Sequence, residues 1–126
     1  MNVKILPEDT IFSQYIRKRD GRCMRCKSPV RFNEKGLPVS HTNSHYITRG
    51  NWATRMDEWN CITLCFPCHR IWGGDGREEY KKFMQDWLGM AAFQNLIMRS
   101  NEYANKLKVR KWAKEEYKNK LRELKI

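Results

Sequence analysis

Cysteine pairs and two separated histidines are the residues of this chain whose types and spacing suit chemistry beyond packing. Four of the five cysteines form two Cys-x-x-Cys pairs, Cys23-Met-Arg-Cys26 and Cys65-Phe-Pro-Cys68, with 38 residues between them. Each pair offers two thiolates from one tight knuckle, and two knuckles complete the tetrahedral four-sulfur shell that suits zinc. Small buried hydrophobes or a redox dithiol are the alternatives; the paired spacing argues against the first and the lack of a βαβ pattern against the second. Cys61, in the run Cys61-Ile62-Thr63-Leu64, reads as core and not as a ligand. Structural zinc contributes an apparent ~10 to 16 kcal/mol, comparable to the whole stability of a small domain, so the metal is expected to organise the fold.

His45 lies between the cysteine pairs, Asn60 just before the second pair, and His69 directly after Cys68. A neutral imidazole takes a proton from water near pH 7, and a second imidazole can hold a divalent cation against a phosphate. An asparagine amide can bridge two backbone groups and hold the loop that aims the base. Arg49 and Arg55 are candidates to clamp a phosphate, because a guanidinium meets two oxygens at once; solvated loop charges are the plain alternative. Trp52, Trp59 and Trp72 either pack around the metal or stack on unpaired bases. His41, four residues before His45, reads as a surface histidine.

These groups need elements to position them. Pro7-Glu8-Asp9-Thr10, followed by Ile11, Phe12, Tyr15 and Ile16 at helical spacing and closed by Asp20-Gly21, predicts a helix leading to the first knuckle. Residues 27–40 hold Pro29, Asn33, Gly36 and Pro38, the marks of a loop or hairpin. The β-branched and aromatic content of 45–50 and 59–64 predicts two strands joined by a long loop. Pro67 suits the first turn of a new helix, with His69 near its start. Gly73-Gly74-Asp75-Gly76 breaks the chain, and helices are expected from about Arg77 to Leu88-Gly89 and from Met90 to Met98. In the tail, Val109, Trp112, Ala113, Tyr117 and Leu121 form one stripe of a charged helix.

Composition narrows the partners. With 126 residues and 40% hydrophobic content the chain supports one domain, a core at about 20–76 and a helical extension at about 77–126. Twenty-five Lys and Arg against fourteen Asp and Glu leave +11, a surplus suited to replacing the counterions of a polyanion such as DNA. The last 28 residues carry ten of the basic and four of the acidic side chains, so tail and core are both basic. An anionic membrane surface would favour a basic helix with an exposed apolar face, whereas this charge is spread along the chain. No window reaches the roughly 18 apolar residues of a membrane helix, and no apolar segment near the start suits a signal peptide. The expectation is a soluble, cytoplasmic protein with no membrane partner.

A histidine on a first strand, an asparagine on a second and a histidine on the following helix, clamped by zinc, has the order of an HNH nuclease finger. The run Asp9 to Asp20 (DTIFSQYIRKRD), the run Ser44 to Asn60 (SHYITRGNWATRMDEWN) and Gly73-Gly74 resemble the bacteriophage NinG/Rap recombination nucleases over residues 9 to about 125. The resemblance implies an α+β fold with a small zinc-stapled, treble-clef-like ββα-metal core, flanking helices and a basic C-terminal helix. It implies a metal-dependent endonuclease acting on branched DNA, Holliday junctions included, in the bacterial host cytoplasm. Carried over, His45 activates water for in-line attack, Asn60 orients it, and His69 holds Mg²⁺ or Mn²⁺ against the leaving 3′ oxygen. Ser44 stands where many HNH enzymes have an aspartate ligand; Asp57, Glu58 or water are the alternatives for that place. The two-fold character of a branched substrate favours a homodimer. A non-catalytic zinc-finger DNA-binding protein and a sequence-preferring HNH nickase of homing or restriction type are the rival readings.

Overall fold

Proline and glycine set the limits of the first helix. In the computed structural model, which describes residues 4–124, α1 runs from Pro7 to Asp20 with Pro7 in its first turn, where no intrahelical N–H is needed. The Asp9 carboxylate accepts the Leu6 N–H at 2.8 Å. Gly21, at φ +70°, ends the helix by donating to the Arg17 carbonyl at 2.9 Å. The remaining elements are β1 (Thr42–His45), a 3-10 turn (Glu58–Asn60), β2 (Cys61–Leu64), α2 (Phe66–Gly73), α3 (Arg77–Leu88), α4 (Met90–Ser100) and α5 (Lys106–Glu123). The fold is therefore α+β, five helices around a two-stranded antiparallel sheet in which Thr42 faces Leu64 and His45 faces Cys61.

Every residue of β2 is buried, because helices cover both of its faces. Ile62 and Leu64 point into a cluster with Trp72, Tyr80, Met84, Phe93 and Leu96 from α2, α3 and α4. Cys61, on the opposite face, joins Phe12, Ile16, Met56, Ala113 and Tyr117 of α1, the loop and α5. Cys61 is thus core, as expected from its apolar run.

The strand expected at 45–50 lies earlier and stops at His45. The physical cause is Asn60, whose Oδ1 accepts the Ile47 N–H at 2.8 Å and whose Nδ2 donates to the Ile47 carbonyl at 3.0 Å. A side-chain amide replaces the ladder there, and the chain leaves the sheet as a loop over 47–57. Between α1 and β1, single bridges pair Arg22 with Pro29 and Phe32 with Pro38. His41 is half-buried and not a free surface histidine: its ring meets the Ser40 hydroxyl at 2.9 Å and Ser28 at 3.1 Å, fastening this segment. No helix among the described residues is long and apolar enough to cross a membrane.

Candidate functional site

The Sγ atoms of Cys23, Cys26, Cys65 and Cys68 all lie within 4.8 Å of one another, an arrangement that could hold a metal ion and is compatible with structural zinc. Sulfurs about 2.3 Å from a tetrahedral zinc are roughly 3.8 Å apart, and Cys26 and Cys65 stand at 3.6 Å. Donors already surround the sulfurs. The Cys26 N–H points at the Cys23 Sγ at 3.4 Å, and the Arg25 guanidinium at the Cys68 Sγ at 3.5 Å. Arg25 is held there by Glu79 at 3.0 Å and by the Trp72 ring. Hydrogen bonds from Ser28 draw the Cys26 thiol down to about 6, while burial holds Cys68 up, to about 12. Without a cation, four thiols this close do not ionise together.

On the other side of the sheet, His45 is the last residue of β1, and its Nε2 lies 2.9 Å from the Arg55 carbonyl. A carbonyl only accepts, so Nε2 carries the proton and Nδ1 keeps its lone pair. Burial pushes the ring down to about 4, Arg49 acting in the same direction, and the imidazole is neutral at pH 7.

The loop that supplies the Arg55 carbonyl is fastened at many points. Asn60, fully buried, grips Ile47 as described and also donates to the Thr54 carbonyl at 3.2 Å. Tyr117 donates to the Met56 carbonyl at 2.6 Å, and Asn51 to the Ser100 carbonyl at 2.8 Å. Asn60 therefore does to the backbone what its amide was expected to do.

His45 opens on a cavity of about 210 Å³ whose walls include Arg49, Asn43, Arg17, Ser13 and Thr10. Two of these groups are unsatisfied: Asn43 Oδ1 and Arg49 Nε are buried without a hydrogen-bond partner. Native proteins leave few buried polar atoms unpaired, so a donor and an acceptor without partners on two residues that line the cavity of a neutral imidazole make this the candidate site for a polar group. Asn43 was not singled out from the sequence, although it sits two residues before His45 and a strand's period of two puts both on one face. Thr10, Ser13 and Arg17 lie on one face of α1 and were missed for a different reason, since their meeting with β1 is tertiary.

Other expected site residues are placed differently. Arg55 does not reach solvent: it is 2% exposed, its guanidinium bonded to both oxygens of Asp9 at 3.0 and 2.6 Å and to the Lys4 carbonyl at 2.9 Å. This corrects its expected role as a phosphate clamp, because a carboxylate from α1 already takes the fork. Burial opposes the charge on Asp9, yet Arg55 and the Leu6 N–H outweigh it and hold the carboxyl below its usual range. Replacing one partner of such a buried pair leaves an uncompensated charge, so Arg55→Met is expected to destabilise the protein by about 3 to 5 kcal/mol in chemical denaturation. Adding Asp9→Asn should recover part of that loss.

Ser44 is turned away from His45 and is buried with its hydroxyl 2.8 Å from the Tyr80 hydroxyl. Asp57 and Glu58 are not free to hold a cation. Asp57 pairs with Arg99 at 2.8 Å, and Glu58 accepts from Tyr15 at 2.9 Å and pairs with Lys120. Both carboxylates fasten α4 and α5 to the turn, which corrects the expectation that one of them completes a catalytic metal shell. His69 stands exposed on α2 and is not among the residues lining the His45 cavity. Arg49 links the two histidines electrically, since its charge also works, after burial, to lower the His69 ring. Among the described residues, the four cysteines are the one group of three or more metal-ligating side chains that converge.

Trp72 is buried and stacked on Tyr80, so it packs and offers no face to a ligand. Trp52 and Trp59 line a separate cavity on the far flank of the 47–57 loop. No family model matches the chain, and no curated protein or solved structure matches it.

Proposed function

We propose that this protein is a zinc-stapled DNA endonuclease of HNH type, a hydrolase of phosphodiesters in branched DNA. The observation that carries the reading is the His45 cavity: a neutral imidazole with a free Nδ1, aimed by the Arg55 carbonyl on a loop pinned by Asn60, beside an Arg49 guanidinium with an unsatisfied N–H. The chain's +11 charge supplies attraction for the polyanion. Zinc in the four-cysteine shell holds β2, α2 and the hairpin segment in register.

In this reading Arg49 seats a phosphate oxygen, and His45 Nδ1 takes a proton from the water that attacks phosphorus in line. The bond to the 3′ oxygen breaks, and that oxygen leaves as a hydroxyl after taking a proton from solvent, giving 5′-phosphate and 3′-hydroxyl ends. A divalent cation at His69 would add positive charge beside the leaving oxygen. No carboxylate converges on His69, so such a cation would be held mainly by substrate oxygens and water and would bind together with DNA.

The test is incubation of the zinc-loaded protein with supercoiled plasmid, a synthetic four-way junction and a linear duplex of matching sequence, each with a titration of Mg²⁺ or Mn²⁺. Cation-dependent cutting that prefers the junction is expected. Binding without cutting at any cation concentration would mean a zinc-finger DNA-binding protein, and preferential nicking of the duplex a sequence-preferring nickase.

A further inference from the structure

The 47–57 loop has two flanks. One presents Arg49 to the His45 cavity, and the other presents Trp52 and Met56 to a second cavity of about 350 Å³ completed by Trp59 from the 3-10 turn and by Trp112 and Glu116 from α5. That volume lies in the range of small-ligand pockets. Trp59 and Trp112 are 49% and 50% exposed, although each is large enough to anchor a core.

The charges around these indoles select the ligand. Arg99 and Lys120, on the rim, are neutralised by Asp57 and Glu58, so the cavity offers no free cationic fork for a phosphate. Glu116 makes no ion pair or hydrogen bond among the described residues, which leaves a carboxylate able to accept amino N–H groups. Indole faces with one free carboxylate also suit a quaternary ammonium ion. Here that ligand is disfavoured, because Lys106 already lies 5.5 Å from the Trp52 ring and Arg55 4.4 Å from it. A neutral, planar, hydrogen-bond-donating ring remains.

We infer that this cavity receives, against the half-exposed indoles of Trp59 and Trp112, an unpaired nucleobase carrying an amino group, from the DNA strand whose phosphate lies in the His45 cavity. The inference rests on the DNA reading above and adds the means by which a branch or bulge is told from paired duplex: only an unstacked base can enter. Stacking of one base on an aromatic face changes affinity by about tenfold to a hundredfold.

The test is fluorescence anisotropy of labelled hairpin duplexes with the zinc-loaded full chain and no added divalent cation. One hairpin carries a single bulged guanosine, a second carries an abasic residue at the same place, and a third is fully paired. The guanosine bulge is expected to bind about tenfold or more tighter than the abasic bulge. Trp112→Ala should erase that difference while leaving affinity for the abasic hairpin within about twofold, and Trp112→Phe should restore it. A thermal melt of each variant separates loss of stacking from loss of fold. Equal affinity of the parent protein for both bulges overturns the inference, as does discrimination that survives Trp112→Ala, or displacement of the DNA by a trimethyl-lysine peptide. Absence of cleavage with base discrimination intact would sink the nuclease reading alone; cleavage of junctions without base discrimination would sink this one alone.

Discussion

Removal of the zinc proposed for Cys23, Cys26, Cys65 and Cys68 is expected to abolish cooperative folding. The sulfurs are gathered within 4.8 Å from two places in the chain, so the metal would join the Cys23–Cys26 knuckle directly to the start of α2. An apparent metal contribution of ~10 to 16 kcal/mol exceeds or equals the net stability of a domain this size. Native mass spectrometry should find one zinc per chain. A membrane-permeant chelator should release it and replace the sharp melting transition with a shallow one. Cys26→Ser should lower zinc content and stability together, whereas Cys61→Ala should keep one zinc per chain, because Cys61 is packed among Phe12, Ile16 and Tyr117 on the other face of the sheet. A chain that melts sharply with no zinc would remove the staple from the account. Loss should be uneven, since the cluster of Phe12, Tyr15 and Ile16 with Ala113 and Tyr117 holds α1 to α5 without any cysteine ligand, and part of the helical signal should outlast the metal.

His45→Ala is expected to slow phosphodiester cleavage by about 10² to 10⁴-fold, the usual contribution of a positioned general base. The side chain is seated by one hydrogen bond to the Arg55 carbonyl, and its removal leaves the zinc site, Asn60 and Arg49 in place. Zinc content and junction affinity should therefore stay within about twofold of the parent, so the loss falls on kcat. The pH profile adds a sharper test. Burial holds the ring near 4, the base must be neutral to act, and so kcat/KM of the parent should be level from about pH 8 down to pH 5 and fall only as pH approaches 4. A fall centred near 6.5, the value of an ordinary exposed histidine, would mean that another group, or a rearranged His45, takes the proton. Cleavage undiminished in His45→Ala would remove it from the chemistry altogether. Asn60→Ala should share part of the defect through the loop, with a lower melting temperature as well, because its amide satisfies backbone groups at Ile47 and Thr54.

Features legible in the sequence are those whose physics is local. Two thiolates three residues apart make a knuckle whatever surrounds them, and Pro7 and Gly21 bound α1 through their own backbone preferences. The breaks at 73–76 and at Gly89 likewise separate α2, α3 and α4 close to where glycine was read as a stop. The Asn60 amide also acts as its type suggested, on two backbone groups of one loop.

Contacts over long sequence separations decided the rest. Arg49 and Arg55 are six residues apart in one loop and equal as sequence, yet Arg55 meets Asp9, 46 residues earlier, and is lost to the surface, while Arg49 lines the His45 cavity and its buried Nε has no partner. Asp57 and Glu58 were credible ligands until α4 and α5 brought Arg99 and Lys120 to them. Trp112 read as one member of a helix stripe, and only the packing of α5 set it beside Trp52 and Trp59. Residue type and near spacing thus determined the cysteine knuckles, the helix limits and the chemistry available to each side chain. Which charges were neutralised and which remained free was decided by tertiary structure, because a buried charge takes whichever opposite partner the fold brings within reach, however distant in the chain.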